Sequence, residues 1–153
     1  MRIIENTLKC WRNTREMPAL LRMYCRGGMV VSPIAFVLLL LPMSPSTVNG
    51  QPVSYAELWS SGIGEIFALL ISLIGIGAWG MAARSRAGRW FIVLAGLLPG
   101  ALLILLPSIH KYSPGLSKTK LLAEAAATAI FLYACLFWIP SVKRYFNNEH
   151  SVP

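Results

Sequence analysis

The sequence predicts an all-α membrane protein with four transmembrane helices and an N-terminal amphipathic segment in the cytoplasm. Hydrophobic residues make up 56% of the 153 residues and charged residues only 13%, whereas soluble domains carry about 25% charged residues. The mean hydropathy is +0.59. Four apolar stretches approach the ~20 residues that a helix needs to cross the ~30 Å hydrocarbon core. We therefore expect most of the chain to lie in a bilayer.

The apolar stretches divide the chain into three parts. The predicted spans cover about residues 28–43, 58–82, 90–107 and 121–140. They form a transmembrane domain over 28–142, between a basic segment at 1–27 and a short cytoplasmic tail at 143–153. Pro33 is expected near the start of the first span, where the missing backbone N–H costs little.

The distribution of basic residues predicts the orientation of the spans. Eleven of the 14 Lys and Arg residues lie in the N-terminal segment, the connection after the second span and the tail. The other three are Lys111, Lys118 and Lys120, on the opposite side. Because cytoplasmic loops are enriched in Lys and Arg, we expect a multi-pass protein of a bacterial inner membrane with both termini in the cytoplasm.

The segment 1–27 is expected to lie on the anionic inner leaflet of this membrane. Ile4, Leu8 and Trp11 recur at helical spacing, and a second apolar series follows a break at Pro18. Basic residues fall largely between the apolar positions, as in helices that bind lipid headgroups. The residues assigned to headgroup binding are Lys9, Arg12, Arg15, Arg22 and Arg26. A disordered arm that only follows the charge bias is the alternative.

Two carboxylates fall inside predicted spans, where an unpaired charge is costly. Counted from the predicted starts of their spans, Glu65 and Glu124 lie at comparable depths near the outer surface. We predict a polar clasp between the second and fourth spans, with Lys120 or Lys118 as the counter-charge. A proton- or cation-coupled site, an aqueous vestibule and a contact with a partner are the alternatives.

Small residues and a proline predict close packing between helices. On the second span the small residues follow the face of Glu65, and on the third span a G-x-x-x-G motif surrounds a proline. This motif predicts a kink and a close helix contact. The residues assigned to packing are Gly64, Ala68, Ser72, Gly75, Gly96, Pro99 and Gly100.

Motifs of catalytic or metal sites are missing from the sequence. It contains no Asp, two His and three Cys, and no G-x-S-x-G, H-E-x-x-H or P-loop pattern. We therefore expect a protein that is not an enzyme and that uses no cofactor or metal. We expect no direct binding of nucleic acid either, because a lipid-headgroup role explains the basic residues.

The whole-chain layout resembles that of small inner-membrane proteins that protect a bacterium from an invader. The likeness lies in size, four spans, cytoplasmic termini, short outer loops at 44–60 and 108–120, and the lack of catalytic residues. The group includes immunity proteins to pore-forming colicins and superinfection-exclusion proteins of temperate phages. The chain looks most like phage exclusion proteins of the SieA type. This resemblance implies a non-enzymatic protein that contacts ejected phage proteins or their channel and blocks the passage of phage DNA.

Two other functions stay open at this point. A small proton-coupled transporter would use Glu65 and Glu124, as four-span multidrug transporters use an intramembrane Glu, although theirs lies in the first span. An accessory subunit would stabilise a larger host membrane complex. Formation of a homo-oligomer also stays open.

Overall fold

The described residues of the computed structural model, 2–42, 46–48, 51–106 and 117–147, are mainly α-helical. In chain order the helices are α1 (Arg2–Asn13), α2 (Ala19–Leu40), α3 (Tyr55–Ser60), α4 (Ile63–Ala82), α5 (Arg86–Leu105), α6 (Lys118–Phe137) and α7 (Pro140–Asn147). A 3₁₀ turn at Thr14–Glu16 lies between α1 and α2. An antiparallel pair of strands, β1 (Ser46–Val48) and β2 (Gln51–Val53), precedes α3.

Four helices, α2, α4, α5 and α6, are long and apolar enough to cross a membrane. This confirms the predicted membrane-embedded, all-α class with four candidate spans. The largest difference from the predicted boundaries is at α2, which begins at Ala19 rather than at residue 28, so that Pro33 lies inside the helix. The helix continues through Arg22 and Arg26 because both side chains find partners within the chain.

The four spans form an open row rather than a closed bundle. α2 packs against α4, α4 against α5, and α5 against α6, whereas the two edge helices make at most marginal contact with each other in the described part of the chain. The inner helices are accordingly the more buried. Within their apolar windows, 33% of α4 and 28% of α5 is buried, against 22% of α2 and 17% of α6.

Glycines allow neighbouring helices of the row to approach closely. A Cβ atom at Gly28 of α2 would lie 2.7 Å from the Cβ atom of Ala78 in α4. A Cβ atom at Gly100 of α5 would lie 2.6 Å from the Cβ atom of Ala125 in α6. Both distances are shorter than any normal contact, so the helix spacing at these points depends on the absence of a side chain.

Two apolar cores lie at opposite ends of the four spans, along the helix axes. The larger core is built from α2, α4, α5, α6 and α7, and it contains Met17, Leu21, Cys25, Met29, Ala78, Met81, Ala82, Ile92, Leu136, Val142, Tyr145 and Phe146. The smaller core consists of Val53, Leu58 and Ile63. We call the first end, with α1, the 3₁₀ turn, the α4–α5 turn (83–85) and α7, the basic end. The far end comprises the strand pair, α3 and the start of α6.

Candidate functional site

The structure does not bring the residues of the predicted clasp together. α5 packs between α4, which carries Glu65, and α6, which carries Glu124. Both glutamates are exposed, as are Lys118 and Lys120. The Glu124 carboxylate lies 4.0 Å from the ammonium of Lys120 on the same helix, and Glu65 has no ion-pair partner among the described residues. Within the described residues of one chain, the predicted clasp between the second and fourth spans is therefore not formed.

The physical reason lies in where α4 begins. The prediction counts the depth of Glu65 from Leu58, but Leu58 belongs to the separate helix α3. Gly62 follows in the left-handed conformation, with φ of 82°, and α4 begins only at Ile63. Glu65 thus lies in the first turn of α4. The helix dipole favours a negative charge at this position.

The residues assigned to packing are placed in different surroundings. Those that face a neighbouring span at close range are Gly75, Gly96 and Gly100. Pro99 is buried within α5. Gly64 faces Trp59 of α3 rather than another span. Ser72 donates its hydroxyl proton to the carbonyl of Ala68 at 2.7 Å, so its polar group is satisfied within α4.

Three segments that are distant in the sequence meet at the basic end. Nδ2 of Asn13 donates a hydrogen bond of 3.2 Å to the carbonyl of Ala82 at the end of α4. Glu16 of the 3₁₀ turn forms an ion pair with Arg84 of the α4–α5 turn. The Arg84 guanidinium also lies 5.1 Å from the ring centroid of Tyr145 in α7. Arg84 therefore links the N-terminal segment to the C-terminal helix.

A second arginine is buried beside this link. Arg89 is only 8% exposed, and its guanidinium lies 4.5 Å from the ring centroid of Phe137 and 4.4 Å from that of Phe146. Its buried Nε has no hydrogen-bond partner among the described residues. Guanidinium groups stack on aromatic faces because they are weakly hydrated cations. The rings, rather than a carboxylate, thus hold the Arg89 side chain.

The residues assigned to headgroup binding separate into two groups. The exposed group on α1 and the 3₁₀ turn consists of Lys9, Arg12 and Arg15. By contrast, Arg22 donates through Nη2 to the carbonyl of Met17 at 3.0 Å. Nε of Arg26 donates to Oγ1 of Thr14 at 2.9 Å, and its guanidinium lies 5.2 Å from the ring centroid of Trp11. Arg22 and Arg26 therefore stabilise the junction between α2 and the segment that precedes it.

Sequence reasoning missed the role of α7. It treats 143–153 as a tail, and it counts Arg84 and Arg89 only as signals of orientation. A usable signal is present, however. Three apolar residues at helical spacing, Val142, Tyr145 and Phe146, follow a proline that suits the first position of a helix, and all three are buried.

These features define a membrane-embedded, all-α protein with four candidate spans and one tightly packed, arginine-rich end. Across the described ranges, no group of three His, Cys, Asp or Glu side chains could hold a metal ion. Comparisons with protein families, curated proteins and solved structures find no match to this chain.

Proposed function

We propose that the chain is a non-enzymatic protein of the bacterial inner membrane that excludes superinfecting phages. It contacts ejected phage proteins or their channel and blocks the passage of phage DNA into the cytoplasm. The basic end faces the cytoplasm in this proposal, because the three basic regions of the sequence meet there and cytoplasmic loops are enriched in Lys and Arg. Both termini then lie in the cytoplasm, and the strand pair and α3 lie on the periplasmic side.

The observation that carries the proposal is the open row of four spans. Large apolar side chains are exposed on each of the four helices, for example Ile34 on α2, Phe67 on α4, Leu94 on α5 and Phe131 on α6. Association between helices inside a bilayer depends on van der Waals packing over complementary surfaces. A wide surface of this kind suits a partner that is itself inserted in the membrane, as an ejected phage channel is.

Transport receives no comparable support from the geometry. Carboxylates that carry protons through a transporter face the interior of the helix bundle or a water-filled cavity. Glu65 lies in the first turn of α4, and Glu124 lies on the exposed side of α6. Because α5 packs between these helices, the two residues do not share a site.

The proposal is tested in cells that express the chain alone. Plating efficiency is measured over a broad phage panel, with phage adsorption and DNA delivery measured separately. We expect at least one phage to adsorb normally but to deliver little DNA and to plate poorly. Normal plating of every phage in the panel would contradict the proposal. Stoichiometric capture of a host complex, without any effect on phages, would instead indicate an accessory subunit.

Paired variants locate the contact. The double variant Lys118→Ser with Lys120→Ser changes exposed charges at the far end, and Arg12→Ser with Arg15→Ser is the matched control at the basic end. At equal amounts in the membrane, the far-end variant is expected to relieve exclusion and the control to preserve it. The reverse result would contradict a contact on the periplasmic side.

A further inference from the structure

We propose that a cavity at the basic end binds the phosphate of an anionic phospholipid headgroup. The cavity measures about 350 Å³ and lies between the 3₁₀ turn, the α4–α5 turn and α7. Its polar lining consists of Glu16, Arg84, Ser141, Arg144 and Tyr145. None of the residues that the sequence assigned to headgroup binding lines it, and the inference does not depend on the proposed role in phage exclusion.

Charge favours an anion in this cavity. Arg84 and Arg144 bring two guanidinium groups, whereas Glu16 brings one carboxylate, which Arg84 already pairs. Arg144 is exposed and has no ion-pair partner among the described residues. A guanidinium presents parallel N–H donors that match two oxygens of a phosphate. Among the described residues, the cavity therefore holds one arginine, Arg144, that no carboxylate pairs.

Neutral donors add to this charge. Ser141 lies in the first turn of α7, where backbone N–H groups and the helix dipole also favour an anion. Tyr145 adds no negative charge, because burial raises its pKa to about 12 from a value that already lies far above neutral pH, and its hydroxyl donates to the carbonyl of Met81 at 3.5 Å. Arg84, Arg144, Ser141 and Tyr145 all line this cavity.

The backbone of Arg84 is strained at the point where its side chain lines the cavity. Arg84 has φ of 59°, and among the described residues it is the one non-glycine residue with positive φ. It lies just after the end of α4, where glycine is the residue that adopts this conformation without strain. Strained residues persist where their side chains are required, and they cluster at functional sites.

The position of the cavity favours a lipid over a soluble phosphate. Arg84 comes two residues after the end of span α4, and Ser141 comes four residues after the end of span α6. The cavity thus lies at the level where the spans leave the membrane. Basic residues next to the cytoplasmic ends of spans are typical sites for anionic headgroups, and the orientation proposed above puts this end in the cytoplasm.

The test uses the full-length chain in detergent and counts retained lipids by native mass spectrometry. The probes are phosphatidylglycerol, phosphatidylcholine and inorganic phosphate. We expect the wild type to retain phosphatidylglycerol in preference to phosphatidylcholine, and excess inorganic phosphate to leave that complex intact. Equal retention of the two lipids would overturn the proposal. Displacement of the lipid by inorganic phosphate would overturn the lipid assignment.

Variants tie the retained lipid to the cavity. Arg144→Gln removes one guanidinium of the cavity at an exposed position. Arg84→Gly removes the other guanidinium and also the backbone strain at residue 84. Both variants are expected to lose most of the retained phosphatidylglycerol, whereas Arg86→Gln, an exposed position that neither lines the cavity nor belongs to the residues assigned to headgroup binding, is expected to retain it. Equal loss in Arg144→Gln and Arg86→Gln, or no loss in either, would place the lipid elsewhere and overturn the proposal.

Discussion

The basic end and the far end of the molecule differ in the surroundings of their charged side chains. At the basic end, Arg84 pairs with Glu16, and Arg89 lies between two phenylalanine rings inside the larger core. At the far end, Glu65 and Glu124 are exposed, and the described residues form a smaller core there around Val53, Leu58 and Ile63. Two of the arginines at the basic end therefore take part in packing, whereas these two glutamates of the far end stay at the surface.

Side-chain chemistry explains much of this difference. An arginine has a long apolar stem and a planar cation that can stack on rings, so it can be buried in an aromatic core. A glutamate has neither property. In α4 it is stabilised by a position in the first turn of the helix, where burial is not required.

The largest expected effect comes from removing an aromatic side chain at the basic end. Phe146 is 1% exposed and lies against Tyr145 and Arg89. Phe146→Ala should lower the free energy of unfolding by about 3–5 kcal/mol, measured by denaturant unfolding in micelles. The matched control is Phe131→Ala at an exposed position of α6, with an expected change within about 0.5 kcal/mol. Similar losses in the two variants would contradict the comparison.

The next prediction tests whether the stability of the protein depends on the close approach of α5 and α6. Gly100→Ala would push a methyl group into Ala125, and overpacking of this kind costs about 1–3 kcal/mol. A Cβ atom at Gly27 meets nothing within 4 Å. Gly27→Ala should therefore raise stability by about 0.5–1 kcal/mol, because alanine favours the helix. If both variants gained stability in the same unfolding assay, the described helix spacing would be wrong.

A smaller effect distinguishes the contribution of the Arg84 backbone conformation to stability from that of its side chain. Arg84→Ala and Arg84→Gly both remove the ion pair with Glu16 and the contact with the Tyr145 ring. Only glycine adopts this positive φ without steric strain, so Arg84→Gly should be more stable than Arg84→Ala by about 1 kcal/mol. Thermal unfolding of the two variants measures this difference. A more stable alanine variant would contradict the left-handed conformation.

The smallest effects are expected at the far end. Glu124→Gln removes an exposed ion pair within one helix, which is worth about 0.3–0.5 kcal/mol. Glu65→Gln removes a carboxylate that has no ion-pair partner among the described residues, and its effect should be of the same small size. Unfolding in micelles at low salt measures both variants. A loss above about 2 kcal/mol for Glu65→Gln would indicate that this carboxylate is buried in a polar contact after all.

Hydropathy was enough to predict four spans, because the bilayer selects long apolar helices whatever their neighbours. It could not predict the start of α2, since Arg22 and Arg26 look like residues of a separate basic segment until their partners within the chain are known. It also could not predict which spans are neighbours. Small residues such as Gly100 mark a helix face for close contact, but they do not identify the helix that meets it.

Two local features of the sequence indicate structure outside the four predicted spans. Asn49-Gly50 between the segments of β1 and β2 is the favoured sequence of a two-residue hairpin turn, and the two strands do pair. Gly62 ends α3 and separates it from α4. A break at this glycine places Glu65 at the start of a helix rather than in the interior of a span.

The order of the spans in the row is tested most directly by disulfide formation in membranes. In a variant without native cysteines, Gly96→Cys with Ala129→Cys should form an intramolecular disulfide, because a Cβ atom at Gly96 of α5 would lie 3.5 Å from the Cα atom of Ala129 in α6. Glu65→Cys with Glu124→Cys should not, because α5 lies between α4 and α6. Free thiols are counted by alkylation and mass on the monomer fraction. An efficient intramolecular disulfide between positions 65 and 124 would contradict the open row.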